Sequence, residues 1–266
     1  MSGGPRDPAP PDLWDPRQYE RFRAERERPF FDLLALVRAR PAPRLLDLGC
    51  GTGALTARAH QQLGAASTLG VDSSAAMLAR APVAPGLSFR QQRIEDVAAD
   101  PANQGGFDVV LANASLQWVA DHDALLARLF GLLAPGGQLA VHMPANFAHP
   151  SHVLAVRVGR EAPFAEKLGV ERGVPVLPPE RYAELLFAQG ARAQRVLVEV
   201  YAHPLPSSDA VVEWVKGTLL TWYQERLGEA LFARFLERYR AELKAALGDA
   251  RPYLYTFPRL FLSAER

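Results

Sequence analysis

Apolar residues in this chain come in short unbroken runs separated by stretches of helical spacing. Residues 44–48, 68–71, 107–112 and 138–143 read as strands, with another short one at 87–91. Continuous apolar runs of this length suit strands buried on both faces, whereas a strand with one wet face alternates. Between them, 54–62, 75–80 and 121–134 read as helices, with Ser73 as a cap for the second and Pro135-Gly136-Gly137 stopping the third. Ahead of the first strand, Tyr19, Phe22 and Arg26 share one face of a helix over 14–28. Pro29 suits the first turn of a second helix, 29–39, with Phe30, Leu33, Leu34 and Val37 as its apolar stripe. After Pro144 the alternation stops. Residues 145–177 read as irregular or helical, 179–189 as a helix and 191–201 as a sixth strand. Helices over 208–220 and 229–247 precede a seventh strand, 253–262.

This order of elements predicts an α/β fold, a seven-stranded, mostly parallel sheet with helices on both faces. The proline-rich residues 1–13 are expected to form a disordered tail and 14–266 a single domain. Its core is expected over about 40–144, 178–202 and 252–266. The N-terminal helices (14–39), 145–177 and the long excursion 203–251 would form a helical cap over the sheet's C-terminal edge.

Composition narrows the partners. Hydrophobic residues make up 48% of the chain, enough for a sizeable core, and 30 basic against 29 acidic side chains leave a net charge of +1. That balance is no electrostatic footprint for nucleic acid, so small-molecule partners are expected, with the protein acting as a monomer. The single cysteine, Cys50, fits a reducing compartment. No apolar run reaches the ~20 residues of a membrane span and no secretory leader is visible, so no membrane and a cytoplasmic location are expected.

The chemistry gathers at Asp47-Leu48-Gly49-Cys50-Gly51-Thr52-Gly53. An acid ends a buried strand, glycines follow, and a helix begins, as in the first βα unit of a nucleotide-binding sheet. Gly49, Gly51 and Ala54 also satisfy G-x-G-x-x-G/A, which leaves a NAD oxidoreductase open. Asp47 tilts against it, because a carboxylate there suits a cationic ligand group and repels a pyrophosphate. Asp72, 19 residues beyond Gly53, stands where a ribose-binding acid is expected. Cys50 reads as a turn residue with no adjacent histidine to activate it. His149 and His152 lack a third ligand at suitable spacing, so no metal is expected.

Asp47 to Gly53, Asp72-Ser73, Phe107-Asp108 with Asn113, and Leu133 to Gly137 together resemble the motifs of class I S-adenosylmethionine (SAM)-dependent methyltransferases. A narrower resemblance lies outside that core, in Trp14-Asp-Pro-x-x-Tyr19-x-x-Phe22, Arg26-x-Arg28-Pro29 and Asn113-Ala-Ser-Leu-Gln-Trp118. It continues in His142-Met-Pro-x-Asn146, Pro150-Ser-His-Val153, Glu213-Trp-Val-x-Gly-Thr218 and Phe257-Pro-Arg-Leu-Phe261. These tracts are similar to the trans-aconitate 2-methyltransferase family, whose members methylate one carboxylate of a planar tricarboxylate. The resemblance implies a Rossmann-like fold and SAM as cofactor. It implies cofactor contacts from Asp47, Gly49, Cys50, Gly51, Asp72, Ser73, Met77, Ile94, Glu95 and Asn113. Substrate contacts are expected from Tyr19, Arg28, Trp118, His152 and Arg259. Two positions depart from the family pattern: Arg93 replaces an acid after the third strand, and Ala145 replaces an acid in the Met143-Pro-x-Asn146 tract.

A carboxylate acceptor is already ionised at pH 7 and needs no general base. Such an enzyme has only to align the reactants and exclude water, and alignment alone contributes ~7–11 kcal/mol to lowering a barrier. No catalytic acid or base is therefore expected. Arginine suits the grip on carboxylates through its planar fork. Other acids, such as a malonyl thioester, and a non-catalytic SAM-binding module remain alternatives at this point.

Overall fold

The computed structural model describes residues 23–170, 173 and 175–266. The expected tail, Tyr19 and most of the first helix lie outside the described residues, as does the side chain of Arg26. The seven strands are β1 (Arg44–Leu48), β2 (Ser67–Asp72), β3 (Leu87–Gln91), β4 (Phe107–Asn113), β5 (Leu133–Pro144), β6 (Ala193–Leu205) and β7 (Tyr253–Glu265). They form one sheet in the order β3-β2-β1-β4-β5-β7-β6. β1 to β5 run parallel, while β7 is antiparallel to both β5 and β6. The topology reverses at β1 and β4, which places a crevice at the carboxyl ends of those strands.

Both faces of the sheet are covered, as the continuous apolar runs require. Leu45, Val109, Leu111, Ala140 and Phe261 point into one apolar cluster. Leu46, Leu48, Val110, Ala112, Val141 and Leu262 point into the other. The first cluster takes in residues of α1 (Arg23–Leu34), α6 (Pro150–Gly159), α7 (Phe164–Leu168), α9 (Ala210–Lys216) and α10 (Thr221–Leu247). The second lies under α4 (Ile94–Ala99), α5 (His122–Gly131) and α8 (Pro179–Ala188). Helices α2 (Ala54–Gln62) and α3 (Ala75–Leu78) follow β1 and β2.

Four boundaries differ from the sequence expectation. Pro29 lies inside α1 instead of opening a second helix, and α1 ends at Leu34. Proline removes one backbone donor, but burial of Phe30, Leu33 and Leu34 directly after it carries the helix through. Residues 133–137 are strand, not helix end and turn. Leu133 pairs with Phe107, and Gly136 and Gly137 exchange backbone hydrogen bonds with Arg266, which draws the Pro-Gly-Gly segment into the sheet. The expected helix 208–220 ends at Lys216, and α10 begins at Thr221, inside the expected gap, where only Gly228 with a φ of 71° interrupts it. Finally, β6 and β7 are each 13 residues long and pair along their whole length, since each supplies the ladder partners the other lacks.

Candidate active site

The glycine turn is held by three neighbours. The amides of Gly49 and Cys50 both donate to the Val71 carbonyl, at 2.8 and 2.9 Å, tying the turn to the end of β2. Ser115, just beyond β4, donates its hydroxyl to the Leu48 carbonyl at 2.6 Å. A Cβ at Gly49 would stand 2.3 Å from that of Ser115, and Gly49 itself has φ +74°, so no other residue fits. At Gly53 a Cβ would meet the Phe89 ring at 2.5 Å, so β3 packs directly on the start of α2. Next to Asn113 the chain stores strain, because Ala114 adopts φ 51°, a region disfavoured without glycine.

Two carboxylates face this turn. Asp72 ends β2 and accepts from the Gly51 amide at 2.8 Å through one oxygen and from the Ser74 amide at 2.9 Å through the other. Each oxygen keeps a further lone pair. Asp47 is buried and accepts from the Thr56 hydroxyl at 2.6 Å. Burial pushes its pKa up to about 6; the Thr56 bond opposes this and Asp72 adds to it. The same burial, with Asp47 and Asp72 nearby, pushes the Cys50 thiol well above its ordinary value. A thiol shifted in this direction suits the turn role expected of Cys50.

The helix cap expected at Ser73 is supplied by Ser74, whose hydroxyl accepts from the Met77 amide at 3.2 Å. The Ser73 carbonyl instead accepts from Gln91 at 3.1 Å. Met77 brings its methyl within 3.4 Å of where a Cβ of Gly51 would stand, and Ile94 lies 3.6 Å from the corresponding point at Gly49. Arg93 precedes α4 and forms an exposed pair with Glu95 at 2.6 Å. Asp47, Gly49, Cys50, Gly51, Asp72, Met77 and Ile94 thus gather around one turn, with Ser73 next to Asp72 and Glu95 next to Ile94 along the chain. Asp108 does not belong there. It sits near the start of β4, paired with Arg40 at 3.3 Å and Arg44 at 3.1 Å, at the opposite end of the sheet.

On the far side of β4 a polar row crosses three strands. Asn113 at the end of β4 lies beside His142 on β5, with Oδ1 and Nδ1 2.7 Å apart. His142 Nε2 lies 3.2 Å from Nη1 of Arg259 on β7. Arg259 is 5% exposed, with its guanidinium carbon 4.5 Å from the Phe257 ring centroid and 5.1 Å from that of Tyr201. Burial and the Arg259 charge hold His142 neutral, its pKa well below the ordinary value. Arg28 approaches the same Tyr201 ring from α1 but is exposed, and it is spread between Asp32 at 3.7 Å and Glu199 at 4.0 Å.

The other expected substrate residues are placed separately. Trp118 ends a short 3-10 turn after Asn113 and is half exposed. His152 lies in a neighbouring cluster, its Nδ1 3.2 Å from the Ser151 hydroxyl and its ring edge-on to Phe147. That cluster also holds Asn146, which donates to the Tyr255 hydroxyl at 3.1 Å, and His149, 3.1 Å from the Tyr253 hydroxyl. Tyr201, His142, Ser115 and Asn146 contact the candidate site and were not among the residues the sequence singled out for it. The alternation Tyr255-x-Phe257-x-Arg259-x-Phe261 was the available signal, since residues two apart on a strand share a face. Among the described residues no group of histidine, cysteine, aspartate and glutamate is arranged to hold a metal ion, and no helix is long and apolar enough to cross a membrane.

Comparison with known proteins agrees with this geometry. A family model described as a methyltransferase domain matches residues 19–193. The trans-aconitate 2-methyltransferase of Deinococcus radiodurans is 44% identical over 262 residues, covering 95% of this chain and 98% of that protein. The enzyme of the same name from Escherichia coli is 38% identical over 256 residues with the same coverage. Among solved structures, the YcgJ protein from Bacillus subtilis shares the fold at a TM-score of 0.60 and 13% identity, over 90% of this chain and 98% of that one. Identity at this level along nearly the full length of both sequences leaves one reading of kinship. The chain belongs to the trans-aconitate 2-methyltransferase family of class I methyltransferases.

Proposed function

We propose that the protein transfers the methyl group of SAM to one carboxylate of trans-aconitate or a closely similar small polycarboxylate, giving a monomethyl ester and S-adenosylhomocysteine. When bound, SAM supplies a methyl group activated by its sulfonium. The residues around the glycine turn fit this cofactor. Asp72 keeps lone pairs for the ribose hydroxyls. Asp47 and the Gly49–Gly51 turn suit the cationic amino-acid end, and Met77, Ile94 and Glu95 the adenine. The dinucleotide alternative falls with the family assignment.

The observation that carries the substrate reading is Arg259, a cation buried between aromatic rings and joined through His142 to Asn113 at the end of β4. A buried guanidinium beside a methyl-donor site suits a carboxylate that does not react. Tight pairing with the attacking carboxylate would lower its nucleophilicity. Arg28, Tyr19, Trp118 and His152 complete the substrate set in this reading. In this reading α1, α6, α7, α9 and α10 form the cap that excludes water, with 14–266 acting as one domain. Balanced charge and one free thiol, Cys50, support a monomer acting on small acids in the cytoplasm, with no nucleic-acid partner.

The test is a methyl-transfer assay with isotopically labelled SAM on trans-aconitate, cis-aconitate, isocitrate and a malonyl thioester. The expected result is the highest kcat/KM on trans-aconitate, with one methyl added per molecule. Preference for the thioester would transfer the reading to another acid, and no turnover on any acid would favour a binding module.

A further inference from the structure

The proposed function gives His142 no task of its own, yet it stands between the two halves of the site. Asn113, His142 and Phe261 are rung partners on β4, β5 and β7, so the imidazole is fixed by three adjacent strands. Its ring stacks on Phe261 with centroids 4.9 Å apart and is 1% exposed. The proton position follows from its neighbours. Arginine has no acceptor, so Nη1 must donate, and His142 Nε2 must offer a lone pair. The single imidazole proton then lies on Nδ1 and is donated to Asn113 Oδ1.

We propose that His142 is a positioning residue that, as its Nδ1–H tautomer, sets the rotation of the Arg259 guanidinium and the facing of the Asn113 carboxamide. The inference rests on the reading of Arg259 as a carboxylate-binding group. The ring centroids of Phe257 and Tyr201 lie 4.5 and 5.1 Å from the guanidinium carbon, contacts that attract the charge without selecting a direction for its N–H groups. The bond from Nη1 to His142 supplies an in-plane anchor, and that sets the direction in which the fork meets a substrate carboxylate. At the other end, Asn113 has committed Oδ1 to His142, so its NH2 is the group left to meet a ligand. Asn113 and Arg259 are then oriented by one ring, which ties the cofactor side of the sheet edge to the acid-binding side.

Two measurements test this. Nitrogen-15 spectra of the six histidines, with His142 assigned from a His142→Gln sample, should show a fixed Nδ1–H form in the full-length protein. An Nε2–H form, or a mixture of tautomers, overturns the proposal. In kinetics, His142→Phe keeps the stacking but neither hydrogen bond, and should raise KM for trans-aconitate by about 10-fold, the scale of one charge-assisted bond. His142→Gln, whose carbonyl can accept from Arg259, should recover part of that loss. In an Arg259→Ala background, His142→Phe should change KM by less than about twofold, because a residue acting through Arg259 has nothing left to aim. Equal effects in both backgrounds, or unaltered KM in His142→Phe, refute it. Should the wild-type protein methylate no acid, the function reading fails while the tautomer result still decides the network.

Discussion

The guanidinium carbons of Arg28 and Arg259 both stand 5.1 Å from the centroid of the Tyr201 ring, one on the exposed surface and the other buried. The Tyr201 hydroxyl is bonded to Asp32, which also lies 3.7 Å from Arg28. The two arginines, equivalent by sequence, are therefore unequal in environment. Arg259→Ala should cost ~2–5 kcal/mol in kcat/KM for the polycarboxylate, as losing one member of a buried charge pair does. Arg28→Ala should cost no more than about 1 kcal/mol, since solvent already screens it. Steady-state kinetics on both variants decide this, and equal losses would contradict it.

In the proposed reading Asp72 serves the turn as well as the cofactor. Asp72→Ala should weaken SAM binding by roughly 1.5–3 kcal/mol, the scale of hydrogen bonds to a charged group. Because the Gly51 and Ser74 amides lose their acceptor too, the melting temperature should fall alongside. Titration calorimetry and thermal melts together check it, and unchanged SAM affinity would remove Asp72 from the site.

The Asp47 carboxyl gives a pH dependence with a definite sign. Its pKa is raised to about 6 by burial, against ~3.9 in an unfolded chain. The folded state thus binds the extra proton, and this contribution to stability is complete below pH ~4 and is lost as pH rises through about 6. Asp47→Asn, neutral throughout, should gain on the wild type in melting temperature on going from pH 4.5 to 7.5. The cationic group of SAM favours the ionised form, so binding at pH 6 should release about half a proton. Calorimetry in two buffers of different ionisation enthalpy measures that number, and proton uptake would reverse the assignment.

Gly49 and Ser115 supply a double-mutant test of the turn. Gly49→Ala brings a methyl to within 2.3 Å of the Ser115 Cβ at a φ of +74°, and should destabilise the fold by ~1–3 kcal/mol. Ser115→Gly should relieve the steric part of that loss, but not the backbone strain. Urea unfolding of the four proteins in the cycle separates the two, and strict additivity would mean the contact is unimportant.

The parallel half of the fold was legible because each strand is a short apolar run ended by a turn. The cofactor side was legible for the same reason, since Asp47, the glycines and Asp72 all lie within or next to such runs. The acid-binding side was harder to read. Arg28 and Arg259 look alike as letters, and only the folded surroundings show that one is covered and the other is not. His142 escaped notice because a histidine in an apolar strand is usually a core residue, and its partners lie 29 and 117 positions away. Helix ends failed where tertiary contacts prevailed over local signals, through burial just after Pro29 and through strand pairing at Pro135-Gly136-Gly137.

The long β6–β7 pairing has a bearing on how this chain can vary. Thirteen rungs run unbroken from Ala193↔Glu265 to Leu205↔Tyr253, so both ends of the excursion 206–252 leave from adjacent points. A slip of one rung would turn Tyr255, Phe257 and Arg259 to the opposite side of the sheet. The clamp forbids that whatever happens above it. Residues can be gained or lost at the open turns of that excursion, around Gly228 and Gly248, where an added side chain meets no neighbour, while Arg259 stays where it is.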